Sequence, residues 1–221
     1  GGRVGKCSHG AELLLGTDSK KIFKLVSELD AFNNERKDLE NNLLNKIKSS
    51  ISDKASDSVI VLTGNNWHEG IIGIIASRIK DKYNKPTVII SINNNIGKAS
   101  ARSIAGFDIG KTIISAVQDK ILIKGGGHKM AGGFTINVNQ IENFKTFINK
   151  KFQTINIDIN NQKKLFIDSI ISPSALNIDF YEKVENLSPF GSGNPEPKLS
   201  IENLKSVNSS IVGEKHVKSL L

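Results

Sequence analysis

Between residues 55 and 152, short β-branched runs alternate with stretches that carry a helical apolar stripe, and this alternation narrows the possible folds more than any other feature. "SVIVLTG" reads as a buried strand, an apolar run too short for a helix and closed by a glycine. "HEGIIGIIASRIKDKY" comes next as a helix whose stripe runs through Ile71, Ile72, Ile75 and Ile79. "PTVIISI" and "IGKASARSI" are strands on either side of the turn "NNNIG". "DIGKTIISAVQDK" is a helix with Asp108 as its N-cap, "GGFTINV" a strand, and "QIENFKTFINKKF" an amphipathic helix. Strands and helices in the order β-α-β-β-α-β-α argue for an α/β layer.

The flanks have a different texture. Thr17, Asp18 and Ser19 are all good N-caps for a helix in which Ile22, Leu25, Leu29, Phe32, Leu39, Leu43 and Ile47 recur in steps of three and four. Arg36 takes one of the apolar positions. The spacing predicts a helix of roughly 30 residues, about 45 Å long, and a stripe this narrow suits a bridge or spacer. After Phe152, "TINIDINNQKK" reads as a linker, "KLFIDSII" as a strand and "SALNIDFYEKVENL" as a short helix capped by Ser174. "SPFGSGNPEP" is a loop holding three of the five prolines, and "KLSIENLKSV" and "KHVKSLL" are strands. No later strand closes this part, and "GGRVGKCSHG" opens without a methionine, so both ends are expected to be cut from something longer.

A hydrophobic content of 38% supports a packed core, and a net charge of +8 favours a polyanionic partner, either nucleic acid or an anionic membrane. The bland alternative is a set of solvated lysines. A single cysteine, Cys7, excludes an intrachain disulfide or a zinc cluster and fits a reducing compartment. No stretch approaches the 18 apolar residues of a spanning helix. "GGRVGK" lacks the spacing, the Ser or Thr and the preceding strand of a phosphate-binding P-loop, and "HEGII" lacks the second histidine of a metalloprotease helix. His9, His68, His128 and His216 are scattered, and no self-contained catalytic machinery announces itself.

Three stretches carry candidate binding chemistry. In "NNWHEGIIGIIASR", Trp67 and His68 precede a helix N-terminus, and Gly70, Gly73, Ala76 and Ser77 make one side of that helix small. Trp67 suits the core, and His68 is either a turn residue or a contact. In "GKASARS", alternation sends Lys98, Ser100 and Arg102 to one face of a strand, and Ala99, Ala101 and Ser103 to the other. A row of ammonium, hydroxyl and guanidinium suits a run of phosphates. In "IKGGGHKMAGGF", consecutive glycines allow positive φ and predict a loop that is either an anion-binding nest beside His128 or a tight turn.

"WHEGIIGIIASRI", "GKASARSIAGFDI", "GGGHKMAGGFTI" and "LSPFGSGNPEP", in that order, resemble the RecJ family of single-strand-specific DNA exonucleases, within the DHH phosphoesterase superfamily. The resemblance runs across nearly the whole chain. It implies a mixed sheet flanked by helices, preceded by a long connector helix and followed by a partial OB-like β domain. Residues 1–16 would be the tail of the catalytic DHH domain, 17–54 the connector, 55–152 the DHH-associated domain and 153–221 a truncated OB-like domain. The family implies 5′ to 3′ degradation of single-stranded DNA in repair and recombination, in the cytoplasm. A single-strand-binding protein or a helicase are the further partners it suggests. Manganese or magnesium would be held by the DHH domain, whose Asp-His-His triplet this chain lacks, so the chain is expected to grip substrate and to be inactive alone. Carried over by motif, Ser100, Arg102 and Ser103 would contact phosphates, and Gly126, Gly127 and His128 would line the cleft. Lys98, His68 and Arg3 complete the expected nucleic-acid contacts. The competing readings are an oligoribonucleotide or dinucleotide phosphoesterase, a tRNA-editing accessory domain and a non-catalytic module for a protein partner.

Overall fold

The computed structural model describes residues 2–5, 8–54, 57–155, 165–213 and 216–220. The linker expected at residues 154–164 falls largely outside them, as does Cys7. The chain forms two units, Gly1–Ile159 and Asn160–Leu221.

The first unit begins with a short helix, α1 (His9–Leu15), followed by the long helix α2 (Ser19–Lys54). Of the three possible caps of α2, Asp18 is the one used: its Oδ1 accepts from the backbone N of Lys20 at 2.9 Å. At 36 residues the helix outruns the roughly 30 expected. His9 of α1 is buried, donates from Nε2 to the Glu28 carboxylate of α2 at 2.7 Å, and meets Phe32 edge-on. Arg36, the polar residue in the apolar stripe, has its reason one turn further along the same helix. It pairs at 2.7 Å with Glu40, which is fully buried and also meets Arg78 at 2.5 Å.

The sheet comes next: β1 (Ile60–Asn65), α3 (Glu69–Tyr83), β2 (Thr87–Asn93), β3 (Ile96–Arg102), α4 (Ile109–Gln118), β4 (Lys124–His128), β5 (Ala131–Asn137) and α5 (Ile141–Gln153). The strand order is β1-β2-β3-β5-β4, with β1 and β2 parallel and every other neighbour antiparallel. Asp108 caps α4, its Oδ1 accepting from the Lys111 backbone N at 2.9 Å. Asp108→Ala is expected to cost about 1 kcal/mol, read as a melting temperature lower by about 3 °C.

Alternation divides the sheet's residues between two cores. Val61, Val88, Ile90, Ala99, Ala101, Phe134 and Ile136 pack against α4 and α5. Ile60, Leu62 and Ile89 pack on the opposite face, under α3 and the C-terminal half of α2. Trp67, expected in the core, is half-buried against this second cluster, and a Cβ on Gly64 would overlap its indole.

β4 is the element that sequence reasoning misses. "KGGGH" contains no β-branched or aromatic residue and reads as a loop. It pairs in full register with β5 as the sheet's edge strand. The expected positive-φ nest is therefore absent: the left-handed glycines among the described residues are Gly106, Gly193 and Gly213. Gly125 and Gly127 are there because neighbours press close. A Cβ on Gly125 would lie 2.6 Å from Phe134 Cβ and 2.8 Å from Ile113, and one on Gly110 of α4 would lie 2.9 Å from the Gly127 carbonyl carbon.

The second unit carries β6 (Ser169–Ile170), α6 (Ile178–Glu185), β7 (Leu199–Ser200), β8 (Asn208–Val212) and β9 (His216–Leu220). β6 and β7 pair in parallel, and β8 and β9 form an antiparallel hairpin. The cap of α6 is Asn177, whose side-chain oxygen accepts from the Phe180 backbone N at 2.9 Å, and not the expected Ser174, which lies in the preceding turn Pro173–Ala175. Of "KLSIENLKSV", only Leu199–Ser200 is paired as strand.

Candidate nucleic-acid interface

On the face that carries α3 and α2, α3 reaches across to β3 and the β5–β4 side lies open. Register lays the nine residues that β3, β5 and β4 turn to this face out as a grid. One row is Lys98, Thr135 and Lys124; the next is Ser100, Gly133 and Gly126; the third is Arg102, Ala131 and His128. Successive rows are about 6.8 Å apart and successive columns about 4.8 Å. The outer rows carry the cations and the imidazole. The middle row is a floor of small residues: a Cβ at Gly126 would meet nothing within 4 Å, and one at Gly133 only the Ala99 carbonyl at 3.3 Å. A chain with its own bulky side groups can therefore press against the backbone here.

α3 forms the wall beside β3, and its small face explains the glycines of "HEGIIGIIAS". At Gly73 a Cβ would lie 3.1 Å from Ser100 Oγ and 3.2 Å from an Arg102 guanidinium nitrogen, so the glycine makes the seat for both. At Gly70 a Cβ would overlap the Arg3 carbonyl. Ala76, grouped with these small residues in the sequence, is instead fully buried under the helix. The cleft between α3 and β3 is lined by Arg3, Gly70, Gly73, Ser77, Ser100 and Arg102. Arg102 is held within it: one guanidinium nitrogen donates to the Ala101 carbonyl at 2.9 Å and lies 3.4 Å from Ser100 Oγ. Such fixing leaves the rest of the planar fork aimed at the cleft, where bidentate contact with an anion costs little further ordering.

The expected site residues thus separate. Lys98, Ser100, Arg102, Gly126 and His128 share the open face, and Arg3 lines its margin. His128 sits two columns from Arg102, roughly 10 Å away; its Nδ1 accepts from the Met130 backbone N at 3.3 Å, leaving Nε2 to face outward. Three of the expected residues stand apart from this face. Gly127 points to the other face, against α4, where a Cβ would overlap the Ala131 carbonyl. Ser103 lies one residue past the end of β3, is 1% exposed, and donates its hydroxyl to the Phe107 carbonyl at 2.6 Å, so it braces a turn. His68 caps α3, its Nδ1 accepting from the Gly70 backbone N at 3.1 Å, and it lines a different cleft with Trp67 and Lys46. Lys124, Gly133, Thr135 and Glu69 were missed. Lys124, Gly133 and Thr135 can be placed by alternation once β4 is known to be a strand.

Two family models match the chain, the DHHA1 domain over residues 56–154 and the RecJ OB domain over residues 167–221. The chain belongs to the RecJ family. The single-stranded-DNA-specific exonuclease RecJ of Bacillus subtilis is 28% identical over 98% of this chain, and that of Haemophilus influenzae 30% identical over 100% of it. This chain spans 28% of the former and 40% of the latter. The crystal structure of Thermus thermophilus RecJ in complex with Mn2+ superposes with a TM-score of 0.80 at 26% identity, covering 100% of this chain and 32% of that one. The same protein in complex with Mg2+ gives 0.72 at 27% identity, over 88% of this chain and 30% of that one. The RecJ fold is thus shared by the mixed sheet with its long preceding helix and by the OB domain after it.

The donor set here does not fit such a metal. Among the described residues, no three His, Cys, Asp or Glu side chains gather to hold an ion, and no hydrolytic step is assigned to them. Among the described residues, no helix is long and apolar enough to cross a membrane.

Proposed function

We propose that this chain is the strand-gripping part of a RecJ-type exonuclease that digests single-stranded DNA 5′ to 3′ in repair and recombination. The observation that carries the reading is the pairing of fixed donors with a bare floor. Ser100 and Arg102 stand on the same face as Gly126 and Gly133, beside a wall made of small residues. Phosphate oxygens are acceptors only, and every polar group offered by the Ser100 and Arg102 rows can donate. No Phe, Tyr or Trp stands among the nine positions of the grid. Such a surface grips the sugar–phosphate backbone and reads no bases, as an enzyme that degrades any sequence requires.

In this reading, residues 1–16 and 17–54 link the grip to a catalytic domain, residues 55–152 hold the strand, and residues 153–221 add an OB-type surface. Manganese or magnesium is held by that catalytic domain, and the chain alone does not cut. The RecJ OB match at residues 167–221 favours this reading over a small oligoribonucleotide phosphoesterase. With it come a cytoplasmic location and a helicase or single-strand-binding protein to present the strand.

The test is a fluorescence-anisotropy titration with single-stranded and duplex DNA over a range of salt, with manganese present and the DNA checked for cleavage. Arg102→Ala is expected to weaken single-strand binding about tenfold and to reduce the log–log salt slope by roughly 0.7, the DNA remaining uncut. Unchanged binding in Arg102→Ala would favour a module for a protein partner instead, and metal-dependent cleavage by the pure chain would place the chemistry within it.

A further inference from the structure

The Lys98 row lies outside the cleft that holds Arg102, and it has its own acid. Glu69, in the first turn of α3, brings both carboxylate oxygens to Lys98 Nζ, at 2.8 and 2.9 Å. Glu69 lines both the Arg102 cleft and a neighbouring cleft floored by Gly133 and bordered by Lys98, Lys124 and Thr135. Both partners of the pair are more than half exposed, 58% for Lys98 and 53% for Glu69. A pair so open to water contributes little to folding. Lys124 makes no ion pair among the described residues. It stands across Thr135 from Lys98, so two ammonium groups flank one hydroxyl.

We infer that Lys98, Thr135 and Lys124 form a second phosphate subsite, and that Glu69 gates it by holding Lys98 until a phosphate displaces the carboxylate. The inference rests on the reading of the open face as a DNA grip and deepens it. The Lys98 and Arg102 rows are about 14 Å apart, twice the two-residue step along a strand. A strand stacked as in a duplex rises 3.4 Å per nucleotide, so the two rows hold phosphates up to about four nucleotides apart. The glycine floor between them carries the intervening nucleotides. The exchange of partners at Lys98 is an internal competitor for the substrate. It weakens the hold on the strand, which suits an enzyme whose substrate must advance after each cut.

The experiment measures binding of a labelled twelve-nucleotide oligo(dT) to the full chain by anisotropy, across a salt series, for Glu69→Gln, Lys124→Gln and Arg102→Ala. Glu142→Gln, on α5 across the sheet, controls for the change in net charge. Thermal melting accompanies each variant, and Glu69→Gln and Lys124→Gln are expected to melt with the wild type. Lys124→Gln is expected to bind several-fold more weakly, with a salt slope reduced by roughly 0.7. Glu69→Gln is expected to bind several-fold more tightly at low salt, with a steeper slope, where Glu142→Gln does not. If Arg102→Ala weakens binding while Lys124→Gln binds as the wild type, the grip stands and the second subsite is overturned. If Glu69→Gln binds no tighter than Glu142→Gln, the gate is overturned. If none of the three site variants alters binding, the grip and the subsite fall together.

Discussion

Gly126→Val is expected to leave the melting temperature of the protein unchanged and to weaken single-stranded-DNA binding at least tenfold, whereas Gly127→Val, one residue along, is expected to unfold the sheet edge. The two glycines are adjacent and equally lacking in side chain, but β4 alternates. At 126 a Cβ meets nothing within 4 Å, the backbone is extended, and valine is a good strand residue. Its methyl groups would stand in the trough between the cationic rows, where the strand has to lie. At 127 a Cβ would overlap the Ala131 carbonyl and lie 2.5 Å from Gly132 Cα, both of them backbone on the partner strand. Neither can move without breaking the β4–β5 ladder, and Gly110 of α4 rests on the same spot. The cost is about 3 kcal/mol or more, a fall of roughly 10 °C in melting temperature. Calorimetry and anisotropy on the two variants check the pair together. A drop in stability for Gly126→Val, or normal binding by it, would refute the assignment of the open face as the DNA trough.

The double variant Arg36→Ala/Arg78→Ala is expected to destabilise the first unit by about 3–5 kcal/mol, a melting temperature lower by roughly 10 °C or more. Glu40 is fully buried between α2 and α3, and the two guanidinium groups, at 2.7 and 2.5 Å, are what offsets the loss of water around its carboxylate. Arg36 and Arg78 are themselves 23% and 53% exposed, so removing them frees no buried cavity of consequence and leaves the acid as the problem. Adding Glu40→Gln to the double variant is expected to restore much of the loss, because an amide is far cheaper to bury than a carboxylate. Recovery of that kind in chemical denaturation separates the electrostatic account from simple loss of packing.

The order of elements in the sheet was legible because strand and helix periods differ sharply: Ile71, Ile72, Ile75 and Ile79 can share a face only on a helix. Alternation likewise put Lys98, Ser100 and Arg102 on one face, and the structure has them so. Ser103, which alternation put on the opposite face with Ala99 and Ala101, is buried as they are. It was the family motif that set it among the phosphate contacts, and just past the last paired residue of β3 its hydroxyl instead braces a turn. β4 was illegible for a different reason. Gly125 and Gly127 answer to Phe134, Ile113 and Gly110, and no local propensity announces a strand made of glycines. With the strand missed, Lys124 could not be placed beside Lys98, nor Gly126 told from Gly127. The cap of α6 illustrates a smaller ambiguity: Ser174 and Asn177 are equally good cap residues three positions apart, and only the paired geometry chooses. Arg36 looked like a flaw in an apolar stripe because its partner, Glu40, sits on the same helix one turn on and its third member, Arg78, lies on another.

The Glu40 junction also has a mechanical meaning. α2 is a stiff rod of 36 residues, about 54 Å long, pinned to the sheet layer at Glu40 and through Leu43, Ile47 and Ile51. The arm from Ser19 to the pin measures about 32 Å and carries α1 through His9 and Glu28. Pivoting at the pin by about 5° would swing the far end of that arm by about 3 Å, a lever set by the helix's length alone. α3 is both the fulcrum of this lever and the wall of the trough, so a displacement too small to disturb either core is magnified at the opposite end of the rod.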